Sequence, residues 1–103
     1  MSELRFHPAA RVELVEAIVF HDAARPGYGA KFESEVDACV TRILEFPESG
    51  APLPAYPPEL DVRAFHLPSF RYSLLVADVN GERMVYAVAH QHRRPGYWRD
   101  RLK

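Results

Sequence analysis

The sequence predicts an α+β domain in the order β-α-α-β-β-β, with a helical hairpin packed on one face of a mostly antiparallel four-stranded sheet. Three observations carry this. Apolar residues recur at helical spacing through the first half of the chain. A proline-dense break follows at 47–58. Beyond it, two apolar runs bracket Asn80-Gly81, a hairpin turn that both residues favour because both tolerate positive φ.

Leu4-Arg5-Phe6-His7 alternates and reads as a short first strand. Pro8 suits the first turn of a helix, where its missing N–H costs nothing. Residues 8–24 then set Ala10, Leu14, Ala17, Ile18 and His21 on one stripe. Pro26 disfavours helix at Arg25, and Gly27 supplies a turn. A second helix is predicted from about Tyr28 to Phe46, with Phe32, Val36, Cys39, Val40, Ile43 and Phe46 at steps of three and four. Its early acids, Glu33, Glu35 and Asp37, and its late Arg42 complement the helix dipole. The short turn pairs the two helices antiparallel, and their carboxylates read as a solvated outer face.

Pro47 stops the second helix. Five prolines and Gly50 make 47–58 a loop with no regular element, long enough to be functional. Strands are predicted over Leu60–Leu67, ended by Pro68, then Phe70–Val79 and Glu82–Gln91. Residues 92–103 read as a polar tail with a Pro95-Gly96 turn. Two helices cover one sheet face, which would leave the other face and its rim free to bind.

Bulk properties narrow the classes. A chain of 103 residues is one domain's worth, spanning 1–103 with the basic tail at 92–103. Its 48% hydrophobic and 26% charged residues exclude general disorder. One cysteine, Cys39, excludes an internal disulfide, and its place on the second helix's apolar stripe makes it a core residue. Met1-Ser2-Glu3-Leu4-Arg5 lacks the pattern of a secretory signal, and no apolar run approaches the roughly 20 residues that span a bilayer. A reducing, cytoplasmic setting is expected by default. The net charge of −1 hides an asymmetry: residues 90–103 hold Arg93, Arg94, Arg99, Arg101 and Lys103 against Asp100 alone. A basic end on an acidic body suits a polyanion or an acidic partner.

Several segments together resemble the RelE/ParE toxins of type II toxin–antitoxin systems, the plasmid-stabilisation type. They are Phe6-His7-Pro8-Ala9-Ala10 with Glu13-Leu14 and Glu16-Ala17, and Pro26-Gly27-Tyr28-Gly29 with Phe32, Glu35-Val36, Ile43 and Pro47. The last third adds Phe70-Arg71-Tyr72-Ser73-Leu74-Leu75-Val76, Ala87-Val88-Ala89-His90, and Arg93-Arg94-Pro95-Gly96-Tyr97-Trp98. The resemblance spans almost the whole chain, in order. It implies a growth inhibitor held silent by a cognate antitoxin, which would lie on exposed surfaces as a helix in an apolar groove with contacts to the basic end. The RelE branch cleaves mRNA on the ribosome; the ParE branch poisons DNA gyrase without cutting a substrate. A partner-binding relative without toxicity is a third reading.

Were the chain an enzyme, it would be a metal-independent endoribonuclease. That chemistry needs a base, an acid and cations around the phosphate. His90, Arg94 and Tyr97 are the catalytic candidates, with Glu59 and Arg63 as looser ones. Arg63, Arg71, His92, Arg93, Trp98, Arg99 and Arg101 are candidates for target or antitoxin binding. Trp98 and Tyr97 read more simply as anchors that pack the tail onto the sheet. Two departures favour the ParE-like reading. Ser73 stands where RelE-like ribonucleases carry an arginine, and the strand before it holds no lysine. His90-x-His92 would put both rings on one face of a strand, but no third ligand is evident, so no metal or other cofactor is expected.

Overall fold

The computed structural model describes residues 4–103; the reading of Met1-Ser2-Glu3 lies outside the described residues. β1 (Arg5–Phe6) leads into α1 (Pro8–Ala24), α2 (Tyr28–Glu45), β2 (Ala51–Pro52), β3 (Arg63–His66), β4 (Tyr72–Val79) and β5 (Glu82–His90). Short 3₁₀ turns lie at Pro47–Ser49, Pro58–Leu60 and Arg99–Leu102. The sheet is mixed, in the order β1-β5-β4-β3-β2, and only the β1–β5 pair is parallel. Among the described residues, no helix is long and apolar enough to cross a membrane.

The helices follow the local signals. His7 caps α1 by accepting from the Ala9 N–H at Nδ1 (3.1 Å), and Pro8 occupies the first turn. Gly27 sits at φ +92 between the helices. Asp22 Oδ1 accepts from the N–H groups of Gly27 and Gly29, so α1 supplies the side chain that α2's first turn needs. Gly29 also lets the two helices come close: a Cβ there would stand 2.8 Å from the Ile18 carbonyl oxygen. Asn80 and Gly81 take positive φ, 53° and 79°, as the β4–β5 hairpin requires.

Four expectations need correction. The sheet has five strands, not four, because Ala51–Pro52 adds to the edge of β3. The segment 47–58 is therefore not featureless; Pro52 is tolerated because this is an edge strand. β3 covers Arg63–His66 rather than 60–67, since Pro58–Leu60 forms a 3₁₀ turn and Asp61 adopts left-handed φ +43. Phe46, assigned to the apolar stripe, lies beyond the end of α2 and is 62% exposed.

A further correction concerns the second sheet face. Phe32, Val36, Ile43, Leu74, Val76, Val85 and Val88 form the core between helices and sheet. Val62, Ala64, Leu75, Ala77, Tyr86, Ala87, Ala89 and Trp98 form another on the opposite face. Leu53 and Tyr56 of the proline-rich segment, Leu60 of the 3₁₀ turn after it, and Tyr97 and Leu102 of the tail cover it. That face is roofed by the chain itself rather than left free. Arg63 fastens the roof by donating to the backbone oxygens of Glu48 (2.9 Å) and Gly50 (3.0 Å) and to Asp61 (2.9 Å).

Candidate functional site

A β-bulge decides where the site lies. β4 and β5 pair residue for residue except between Leu75 and Val76, where Leu75 faces Ala87 and Val76 faces Val85. Tyr86 is the extra residue, so Tyr86 and Ala87 both turn to the roofed face. The bulge resets the alternation, and Val88 returns to the helix side. His90, two residues on, follows Val88 and meets Tyr72 at 5.0 Å between ring centroids. Without the bulge, His90 would lie on the other face.

β1 pairs only with Met84 and Val85. Among the described residues, no strand lies beside the outer edge of β5 from Tyr86 to His90. Side chains do a strand's work there: Glu13 Oε1 accepts from the Val88 N–H (3.0 Å), and Arg101 donates to the Tyr86 carbonyl (3.0 Å). Arg101 and Glu13 are also joined by two hydrogen bonds of 2.9 and 3.0 Å, and the Tyr97 hydroxyl donates to Glu13 Oε2 at 2.8 Å. Burial alone would raise the Glu13 carboxyl, but these donors and the charge on Arg101 outweigh it and hold it below its ordinary value. Burial, then the bond to the Glu13 carboxylate, pushes the Tyr97 phenol well above the usual range. Glu13 was read as part of a solvated face. It is instead the anchor of the tail.

The tail is therefore structured. Gln91 N–H donates to the Arg71 carbonyl, Arg93 N–H to His90 and Tyr97 N–H to Arg94, with Gly96 at φ +76 closing the Pro95-Gly96 turn. Trp98 is 2% exposed and packs at 5.2 Å against Tyr56. Of the five tail cations, Arg101 is spent on Glu13, and Arg93, Arg94, Arg99 and Lys103 stay exposed. Arg93 lies over the Tyr97 ring at 3.9 Å and Arg99 over Tyr56 at 4.9 Å. Aromatic faces thus steady two guanidinium groups at the surface.

The candidates fall into separate places. His90 and Arg93 line a groove of about 190 Å³ with Glu13, Glu16, Phe20 and Tyr72. Trp98 and Arg99 line a larger apolar cavity of about 480 Å³ with Tyr56, Leu75 and Pro95, on the roofed face. Arg94 stands out in the tail turn, Arg71 just before β4, Arg63 at the proline-rich segment, and Glu59 is exposed in the 3₁₀ turn before β3. β5 ends at His90, so strand alternation does not bring His92 alongside; the turn does, with ring centroids 5.0 Å apart. His92 N–H donates to His90 Nδ1 (3.0 Å), so neutral His90 carries its proton on Nε2. Among the described residues, no group of three or more His, Cys, Asp or Glu could hold a metal ion.

Two residues outside the candidates lie on the helix side of the sheet. His21 is packed among Phe32, Phe70 and Tyr72, at 5.2, 4.8 and 5.5 Å between centroids, with its buried Nε2 unpartnered. Burial, then repulsion from His90, lowers its pKa. Cys39 is buried and its thiol is pushed up by desolvation, which leaves it inert despite Arg42 nearby. Compared with protein-family models and with curated proteins, the chain matches none significantly.

Proposed function

We propose that this chain is the toxin half of a type II toxin–antitoxin pair of the RelE/ParE kind, and that it acts by binding its target, as the gyrase-poisoning ParE branch does. The toxin reading draws on the series of family-like segments and on an α+β order with one strand more than expected. The observation that carries the binding mode is the engagement of Tyr97 and Arg101 by Glu13. A phenol whose O–H is already engaged as a hydrogen-bond donor to a carboxylate, with its pKa raised, is a poor general acid. His90 has Nδ1 occupied by the His92 N–H, and neutral His90 carries its proton on Nε2, which suits hydrogen-bond donation better than proton abstraction. The exposed Arg93, Arg94 and Arg99 form a cationic rim suited to an acidic protein surface or a polyanion.

The ribonuclease reading, with His90, Arg94 and Tyr97 catalytic, makes the opposite prediction about single alanines. The test is growth after induction of the chain alone, beside His90→Ala, Arg94→Ala and the double charge reversal Arg93→Glu/Arg99→Glu. Under the binding mode each alanine variant retains most of its toxicity, and the reversal loses it while circular dichroism stays unchanged. Loss of toxicity in His90→Ala and Arg94→Ala alone, with the fold intact, would overturn the binding mode. Deleting the tail is not an equivalent test, because Trp98 and Arg101 hold the fold together.

A further inference from the structure

The roof over the second sheet face does not fill the space beneath it. A core closed at native density leaves few voids larger than a water molecule. Here an open cavity of about 480 Å³ remains between the proline-rich strap and the tail, within the size range of small-molecule sites. It is lined by Leu53 and Tyr56 of the strap, Leu75 of β4, and Pro95, Trp98 and Arg99 of the tail. The strap is loosely tied. Leu53 N–H donates to the Val62 carbonyl (2.9 Å), but Tyr56 N–H reaches back only to Leu53 (3.4 Å). Among the described residues, no backbone hydrogen bond ties 54–58 to the sheet. Tyr56 and Arg99 also line a neighbouring hollow of about 430 Å³, so room is left beyond Tyr56 as well.

The lining has a definite chemistry. Arg99 is its one charged side chain, and its other polar side-chain groups are the Tyr56 hydroxyl and the Trp98 indole N–H. The rings of Tyr56 and Trp98 are inclined by 30° at 5.2 Å, an aromatic corner against which a flat ring can pack. Arg99 lies over the Tyr56 ring at 4.9 Å, is exposed, and among the described residues has no ion pair. A guanidinium stacked on a ring keeps its planar edge of donors for a carboxylate. So few polar groups suit a hydrocarbon ring better than a nucleobase, whose edges carry several donors and acceptors.

We propose that this cavity binds a small, flat aromatic acid, with its ring against Tyr56 and Trp98 and its carboxylate on Arg99. The proposal does not rest on the toxin reading.

Trp98 is the only tryptophan, so it gives a single indole N–H peak in a proton–nitrogen NMR spectrum of the full chain. The probes are naphthoate and its uncharged amide. Naphthoate shifts that peak saturably and binds about fivefold tighter than the amide, the contribution of an exposed ion pair. Arg99→Gln, at an exposed position, keeps the melting temperature, abolishes the preference for the acid and leaves amide binding as it was. A Trp98 peak unmoved by millimolar naphthoate overturns the proposal, as do shifts that grow without saturating. Equal binding of acid and amide, or a preference that survives Arg99→Gln, overturns it as well. Adenosine monophosphate binding tighter than naphthoate at the same peak also counts against it, because the cavity would then be a nucleotide site.

Discussion

Replacing Glu13 by alanine removes in one step the acceptor for Val88 N–H, for the Tyr97 hydroxyl and for both Arg101 bonds. The side chains of Arg101 and Glu13 are 18% and 12% exposed, so this pair sits between a surface bridge and a buried one. Surface pairs contribute about 0–1 kcal/mol, and breaking a buried pair costs about 3–5 kcal/mol. Leaving a β5 N–H without an acceptor adds about 1–3 kcal/mol. These overlap, and partial exposure lowers both, so the expected loss is about 3 kcal/mol. For a domain of this size that corresponds to a melting temperature lower by about 12 °C or more. Trp98 is the only tryptophan, and it is buried on the tail. Its emission therefore shifts to the red if the tail lifts before the domain melts. Glu13→Gln, which keeps an acceptor and loses the charge, falls between. A Glu13→Ala protein melting within about 4 °C of the parent, with unchanged emission, would refute the role assigned to Glu13.

Stability also falls with acid in two stages. His21 has a lowered pKa, so its contribution is present above the ordinary histidine value of 6.5 and is lost as pH falls through the folded value; His21→Leu removes that stage in urea melts across pH. Glu13 and Asp61 have lowered values too, so theirs is present above the usual carboxylate range and lost below it, a stage that Glu13→Gln reduces. Gly29→Ala forces a Cβ to 2.8 Å from the Ile18 carbonyl and Asp22, and is expected to cost about 1–3 kcal/mol by denaturant melt. Tyr97→Phe removes one bond to Glu13 and leaves its charge compensated by Arg101, for about 1 kcal/mol.

The sequence made the local elements legible and left the non-local ones hidden. Pro8, Gly27 and Asn80-Gly81 mark boundaries because their φ preferences act within a residue or two, and the stripes of both helices follow from spacing alone. The β2 strand has no such signal: two residues, one of them proline, pair only because Arg63 and the β3 edge hold them. The bulge at Tyr86 depends on register between two strands, so neither strand's own pattern reveals it, and the side on which His90 lies depends on that bulge. Glu13 looked like any exposed helical acid. Its role comes from the mismatch between a two-residue β1 and a nine-residue β5, which leaves backbone groups in want of partners. The tail's charges were legible. That one of its arginines is consumed internally was not, because the partner lies 88 residues away.

The most direct measurement is to induce the chain alone in bacteria and follow labelled thymidine and amino-acid incorporation over minutes, with soluble expression verified. A binding toxin of the ParE kind gives an early fall in DNA synthesis with a DNA-damage response while protein synthesis continues. An early collapse of protein synthesis that His90→Ala abolishes would contradict the binding mode, and normal growth at full expression would contradict the toxin itself.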